Sequence, residues 1–585
     1  MFLVGGYVLV SAFDPGLPIT GQSVRFWLGL TLSVSAVAAV GLRHGGREWE
    51  RVLALGSLGA LMYLPYLLRS PGHPIFSDDL YHQQSLRLIA ESGHTDLPVT
   101  RFPIPGQFPG LELATLWLHN TTGLGLETLV WVLPLVIHVT IPLLVFVIAD
   151  AVGLNGRTAF MAALLYIGNK AFFFFHAAYS YETLGILLFL AAWAVVAACA
   201  RDRAFTRQYV PPILVVLAAV TVTHHMSALM TGLGFVSLAI VTGIVYRRAA
   251  VDAFLLAAAG ILLLNDWLVL HATKASEYLS AAFTARIGAL IETLKNEGQG
   301  TRKLFGEQPL WLPERYVGYI YPLLVLALCG GGVLLLLRRR RRRPLGPMLL
   351  SLMIFGPVLW AMTAPAVITG ASELAYRAWP YLFLGVAIYG ALALRAIDRL
   401  ASVPLVARRC AIVAALVLVV AGGVVVGDNP GGRFPQRDPA TAAGPEAVTR
   451  DVISAARWLS LTEGRHNRFA ADNGSELVFS TYGDQEPVGY GNWLPFIAKT
   501  PADIAHRLKE LRAPYLIVDR RIGRLPARYG YYFGQEEQFS ARTLYPQPFP
   551  RAQLAKLDRV STLNRIYDNG NITIYGPVKP VAAAP

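Results

Sequence analysis

Charge is scarce in this sequence: only 15% of its 585 residues are Asp, Glu, Lys or Arg, while 54% are hydrophobic. Soluble domains carry about a quarter charged residues, so the chain is expected to be an integral membrane protein. Cysteine is scarcer still, at three residues. Cys199, Cys329 and Cys410 lie in or beside apolar runs with no CxxC or His/Cys cluster, so neither a disulfide framework nor a zinc site is expected. The first residues lack a basic region and a small-residue cleavage site, so no cleaved signal is expected. No internal repeat and no long low-complexity linker stands out.

What is present is a series of apolar runs. A helix needs about 17 to 25 apolar residues to cross a bilayer, because its backbone must satisfy its own hydrogen bonds there. Apolar runs fall near 24–42, 51–68, 126–148, 158–175, 180–199, 226–245, 250–269, 315–337, 346–368, 380–397 and 409–427, with two short ones near 2–13 and 209–223. The expected fold is therefore an α-helical polytopic membrane protein with about thirteen spans.

The net charge of +14 includes the run Arg338 to Arg343 between two apolar segments. That position favours the cytoplasmic side of a membrane over nucleic acid. It places 43–50, 149–157, 200–208, 246–249 and 398–408 on the same side, and each of these loops carries arginine. The amino terminus is then expected inside and the carboxyl terminus outside. Two outer connections, 69–125 and 270–314, are too long for turns and are expected to be functional. The second carries Lys274, Glu277, Arg286, Glu292, Arg302 and Glu307.

Residues 428–585 are polar and read as an extracytoplasmic α/β domain. Ala455 to Leu459 has helical character, Tyr515 to Val518 reads as a buried strand, and Arg565–Tyr567 with Ile572–Tyr575 flanks a turn at Asp568-Asn569-Gly570. The expected division is 1–50 for amino-terminal helices, 51–427 for a membrane module and 428–585 for this domain.

Polar residues gather at the outer ends of the spans: His176, Tyr179 and Glu182, then His224 and His225, then Glu373 with Arg377. Ionisable groups at membrane depth are costly and mark a substrate or ion path. The acidic stretch Ser77-Asp78-Asp79-Leu80-Tyr81-His82 joins them just beyond the run Arg51 to Leu68. Its apolar spacing predicts a helix over 80–91, with Ser77 as cap and both acids favoured by the helix dipole. His82, one turn after Asp78, could share a proton or a metal with it. Glu373 and Arg377 are spaced to pair on a helix, and an arginine there also suits a phosphate. Lys170, beside four phenylalanines, is expected to snorkel to the interface.

Asp78-Asp79-Leu80-Tyr81, with Arg87 nine residues after the first acid and Glu91-Ser92-Gly93 at the end, resembles the first outer loop of the GT-C glycosyltransferases. These include polyprenyl-phosphate-sugar-dependent mannosyl- and aminoarabinosyltransferases and oligosaccharyltransferases. The motif covers under twenty residues, while the architectural likeness covers most of the membrane part. Two departures stand out: the motif loop follows the third span rather than the first, and no Trp-Trp-Asp-Tyr-Gly signature occurs in the carboxyl-terminal domain. The latter argues against transfer to asparagine.

The resemblance implies a plasma-membrane enzyme moving a sugar from a polyprenyl-phosphate donor to a glycan, lipid or wall acceptor. Asp78 is implied as base and Asp79 as its support, and Arg377, with Lys274 or Arg302, as the phosphate grip. His82, Arg87, Glu182, His224, His225 and Glu373 are implied around the substrates. Some members use a divalent cation; Mg or Mn would then sit on Asp78, Asp79 and His82. Membrane lipids are expected partners and nucleic acid is not. A transporter or lipid flippase is the alternative, expected to show broken helices and paired halves. A non-catalytic envelope scaffold comes third.

Overall fold

The computed structural model describes the chain except residues 44, 70, 71, 73, 75, 96, 98–105, 202–208, 247–249, 278, 279, 281–310, 341–345, 369–371, 428–432, 435–441, 444–447, 528–530, 534–547 and 579–585. Among the expected loop residues, Arg286, Glu292, Arg302 and Glu307 therefore lie outside it. The chain divides into two units, one of Met1–Arg69 with Ile104–Pro435 and one of Ser70–Pro103 with Gln436–Pro585. This differs from the sequence-based division, which kept the whole loop 69–125 in the membrane module.

The helices in chain order are α1 (Phe2–Ser11), α2 (Ile19–Leu42), α3 (Glu48–Arg69), α4 (Ser77–Ser92), α5 (Gly110–Thr122), α6 (Leu126–Ala151), α7 (Gly156–Ile167) and α8 (Tyr181–Arg201). They continue with α9 (Val210–Thr223), α10 (His225–Tyr246), α11 (Ala250–Leu270), α12 (Leu312–Arg340), α13 (Pro347–Met353), α14 (Leu359–Ile368), α15 (Ser372–Asp398) and α16 (Leu405–Val426). All but α4 belong to the first unit.

Among the described residues nine helices are long and apolar enough to cross a membrane, and four shorter apolar stretches lie at Phe2–Ser11, Gly156–Ile167, Val210–Thr223 and Pro347–Thr363. Each expected span falls on one of these. The protein is a polytopic helical membrane protein.

Two spans differ in detail from the expectation. The run 158–175 is helical only to Ile167. Beyond it the chain turns, with one short 3-10 helix at Phe175–Ala177, and side chains take over its carbonyls. Tyr321 donates to Gly168 O at 2.8 Å, His138 Nε2 lies 2.7 Å from Phe172 O, and Thr183 donates to Phe175 O and Ala178 O at 2.9 and 2.8 Å. Irregular backbone survives at membrane depth only where protein groups satisfy it in this way. Lys170 sits in this turn and is buried, 2% exposed, with Nζ 4.9 Å from the centre of the Trp379 ring. It stacks on an aromatic face rather than snorkelling. In the run 346–368, Ile354–Val358 forms a π turn containing Pro357; the missing proline N–H makes the wider turn tolerable.

Arg433 and Phe434, after the last span, still belong to the first unit. Arg433 Nη1 donates to Glu314 Oε1 at 2.7 Å, and Trp27 Nε1 reaches the same oxygen at 2.7 Å. The guanidinium lies 5.0 and 4.7 Å from the Phe26 and Trp27 rings.

The second unit contains a five-stranded sheet of order β2-β1-β3-β5-β4. Its elements are α17 (Arg450–Glu463), β1 (Arg468–Ala470), α18 (Asn473–Gly483), β2 (Glu486–Pro487), α19 (Leu494–Ile497) and α20 (Pro501–Glu510). They continue with β3 (Tyr515–Asp519), α21 (Arg551–Ala555), β4 (Leu563–Asp568) and β5 (Ile572–Pro577). β1 pairs parallel with β2 and β3; β5 pairs antiparallel with β3 and β4. Strand β3 is buried at every position, as its unbroken apolar run requires of a strand with neighbours on both edges. The expected helix, buried strand and hairpin are all present. The hairpin turn is closed by Asp568 Oδ1 accepting from Gly570 N and Asn569 Oδ1 accepting from Ile572 N, both at 2.8 Å.

Candidate functional site

The acidic stretch forms the start of α4, in the second unit. Its first helical residue is Ser77; Phe76 occupies the cap position without a side-chain bond, so the expected Ser77 cap is displaced by one residue. Asp78 and Asp79 occupy the first turn, where the dipole favours carboxylates. Adjacent helix positions face about 100° apart, and the two acids differ accordingly: Asp78 is exposed while Asp79 and His82 are buried. Gly93 ends the helix at φ 74°, a left-handed cap that suits glycine.

Arg87, expected at the substrate, turns to α18. Its guanidinium donates to the Thr481 carbonyl, lies 3.9 Å from Asp484 and 5.8 Å from the Tyr482 ring centre. Glu91 accepts from Arg465 at 3.0 Å.

In the first unit, the residues expected at span ends converge. The α9–α10 break falls at His224, whose backbone is extended at φ −156° and ψ 121°. Ser227 N donates to His224 Nδ1 at 3.3 Å, so that nitrogen is an acceptor and the neutral ring carries its proton on Nε2. Ser227 Oγ lies 2.8 Å from the same nitrogen and 2.7 Å from Tyr381 OH. The Tyr181 ring packs edge-on against His224 at 4.5 Å, and the two histidine rings lie 4.8 Å apart. The charges of Glu182 and Arg377 both act on the Tyr381 hydroxyl, and that of Arg377 on His225. Glu182, His224, His225 and Arg377 thus share one cluster. Glu373 lies one turn before Arg377 on α15; its side chain is outside the described residues.

Glu112 and His138 are among the buried ionisable residues that escaped the sequence reading. Glu112 on α5 is fully buried and acts on the Tyr179 hydroxyl, which lies 2.8 Å from Thr115 Oγ1. Helix α5 reaches the end of α9 because residue 110 is glycine: a Cβ there would lie 2.2 Å from Thr223 Oγ1. A lone carboxylate in the apolar run Leu111 to Leu118 was the available signal. His138, within α6, bridges Gly59 O at 2.9 Å and Phe172 O at 2.7 Å. His176, which the sequence did flag, is fully buried, and neither ring nitrogen has a hydrogen-bond partner among the described residues.

A separate set of buried charges lies at the carboxyl ends of β1 and β3. Arg521 grips Asp519 through Nε at 2.9 and 3.1 Å and Nη2 at 2.8 Å. Asp472 caps α18, accepting from Gly474 N, Ser475 N and Ser475 Oγ at 3.0, 3.1 and 2.6 Å. Burial, and then the charge of Asp519, push its carboxyl up to about 6, against the pull of Ser475 and Arg521. Among the described residues no three His, Cys, Asp or Glu side chains form a metal-holding group; Asp78, Asp79 and His82 do not make one.

No family model matches the sequence, and no curated protein matches it. Solved structures do. The oligosaccharyltransferase of Archaeoglobus fulgidus, in complex with an inhibitory peptide and a dolichol-phosphate, is 12% identical over 80% of this chain and 69% of its own, at a TM-score of 0.53. The same protein in complex with Zn and sulfate is 13% identical over 80% and 68%, at 0.52. ArnT from Cupriavidus metallidurans, bound to undecaprenyl phosphate, is 12% identical over 90% and 97%, at 0.48. The chain shares the fold of these oligosaccharyltransferase structures. That likeness, at 12–13% identity, is one of fold.

Proposed function

We propose that this chain is a plasma-membrane glycosyltransferase that moves a sugar from a polyprenyl-phosphate donor to a hydroxyl of a glycan, lipid or wall acceptor. The observation that carries the reading is the acid pair of α4, one carboxylate exposed and one buried, in a chain whose fold is shared with a protein bound to dolichol-phosphate. In this reading the amino terminus lies in the cytoplasm and the carboxyl-terminal domain outside, which the arginine run supports.

Asp78, open to solvent, takes the proton of the acceptor hydroxyl as that oxygen bonds to the anomeric carbon. The bond from this carbon to the phosphate oxygen breaks, and its electron pair leaves on the phosphate. One displacement inverts the anomeric configuration. Buried Asp79 and His82 hold the helix start beside the base. Arg377 grips the leaving phosphate, where a charge-assisted bond strengthens as negative charge develops. Glu182, His225 and the Nε2–H of His224 meet sugar hydroxyls. Among the described residues no three acids, histidines or cysteines form a metal-holding group, and no step passes through a cation.

The test incubates purified protein in nanodiscs with labelled polyprenyl-phosphate sugars and membrane-derived acceptors, comparing wild type with Asp78→Asn. Transfer by wild type, lost in a folded variant, is expected. Equal transfer by both removes Asp78 as base. The irregular stretch after α7 is also the kind of helix interruption found in transporters; no transfer from any donor, together with uptake into proteoliposomes, would replace the transferase reading.

A further inference from the structure

A sixteen-residue helix with two acids at one end is marginal by itself in water, so something must hold α4 in place. The second unit supplies the grip from one short piece of chain, the end of α18. Thr481 Oγ1 donates to Leu80 O at 3.0 Å, near the start of α4. Farther along, Arg87 donates to the carbonyl of the same Thr481. That carbonyl belongs to the last turn of α18, whose final four carbonyls have no partner within the helix and carry the negative end of its dipole. Asp484, the αL residue that closes α18, adds a carboxylate 3.9 Å from the guanidinium. Arg87 is thus the cation at a helix carboxyl terminus.

Arg87 lies nine residues from Asp78, about 13 Å along the helix axis, at the opposite end of α4 from the acid pair. Two ties, at Leu80 and at Arg87, fix the rotation of a helix as well as its place. Rotation is what decides that Asp78 faces solvent while Asp79 is buried. The pair Glu91–Arg465, with both side chains about half exposed at 47% and 57%, contributes little by itself.

We infer that Arg87 is a positioning residue: it clamps α4 to the end of α18 and so makes the carboxyl-terminal α/β domain the element that orients the acid pair. Its catalytic consequence rests on the transferase reading above.

The experiment uses the full chain in nanodiscs and two readouts, hydrogen exchange of the 77–92 amides and steady-state transfer. Arg87→Ala is expected to speed exchange in α4 about tenfold or more, with β3 unchanged. It lowers kcat about 10- to 100-fold, as small misplacements of catalytic groups do, and leaves KM for the donor unchanged. Arg87→Lys, which keeps the cation, recovers part of both. Thr481→Val, which removes only the tie to Leu80, speeds exchange at the start of α4 and serves if Arg87→Ala does not fold. Unchanged exchange in α4 overturns the clamp, and a raised KM with unchanged kcat makes Arg87 a substrate residue instead. If wild type transfers no sugar, the transferase reading fails while exchange still decides the clamp.

Discussion

The two units hold the polar groups around their candidate sites by different means. In the first, the cluster of Tyr181, His224, Ser227 and Tyr381 is knit by neutral hydrogen bonds of 2.7 to 2.8 Å and by ring contacts. In the second, arginine–carboxylate pairs do the holding: Arg521 on Asp519 and Arg87 on Asp484. An ion is expensive in an apolar bundle, whereas a neutral pair exchanges one partner for another. An aqueous domain carries charge at little cost and gains direction from the planar arginine fork. The difference teaches where chemistry is expected: ionised carboxylate on the aqueous unit, hydrogen-bond recognition in the bundle.

The largest effect should come from breaking this contrast at the acid pair. Asp78→Asn removes the base and is expected to lower kcat about 10²- to 10⁴-fold, whereas Tyr381→Phe in the bundle, which removes one neutral hydrogen bond, costs at most about tenfold in kcat/KM. Kinetics on the two variants with one donor compare them directly. Comparable losses would erase the distinction.

Next in size is the buried pair of the second unit. Arg521→Ala leaves Asp519 without its arginine and is expected to destabilise that unit by about 3–5 kcal/mol. Unfolding followed by exchange in β3 should show this, with the exchange of α15 unchanged. A loss in α15 as well would mean that the units unfold together.

A smaller effect concerns pH. The Asp472 carboxyl is raised in the folded protein from its ordinary value of about 3.9 to about 6. The folded state therefore binds that proton more tightly than the unfolded chain. The resulting stability is complete below the ordinary value and is lost as pH rises through about 6. Asp472→Asn should remove this slope, so that wild type loses stability relative to the variant across that window and the gap then levels off. Denaturant titrations of both proteins at several pH values measure it. Asp558 works in the opposite sense: hydrogen bonds from Tyr575 and Arg565 outweigh its burial and hold it below the ordinary range. The comparison must therefore be between the two proteins rather than within one.

The smallest effect lies in the bundle. Trp27→Phe removes one hydrogen bond to Glu314 while keeping a ring beside Arg433, and should cost about 1 kcal/mol by thermal unfolding. A much larger loss would mean that the bundle relies on this ion pair as the second unit relies on Arg521.

Much of the fold was legible in sequence because the signals are local. Apolar length marked the membrane helices, an unbroken Tyr515–Val518 run marked a buried strand, and the spacing around Leu80 marked α4. Glu182, His224, His225 and Arg377 each stand at the end of a recognisable span, and the structure brings those four together. Glu112 was not legible, because its helix is apolar and short, and one carboxylate among leucines does not announce its neighbours. The end of α7 at Ile167 was equally hidden: Phe172 to Phe175 is apolar enough to continue a span, and only Tyr321, His138 and Thr183 reveal that its carbonyls are satisfied from elsewhere.

Sequence alone determined a membrane protein of many apolar helices, a polar α/β domain after the last of them, and an acidic helix between the third helix and the rest. Those follow from hydrophobicity and periodicity over a few turns of chain. Tertiary structure decided that residues 70–103 group with the carboxyl-terminal domain, that Asp78 is open and Asp79 closed, and that Arg87 meets Thr481. The last two residues are 394 positions apart. No local pattern can choose a partner at that distance; packing chooses it, where an orphaned helix-end carbonyl and a carboxylate meet a guanidinium.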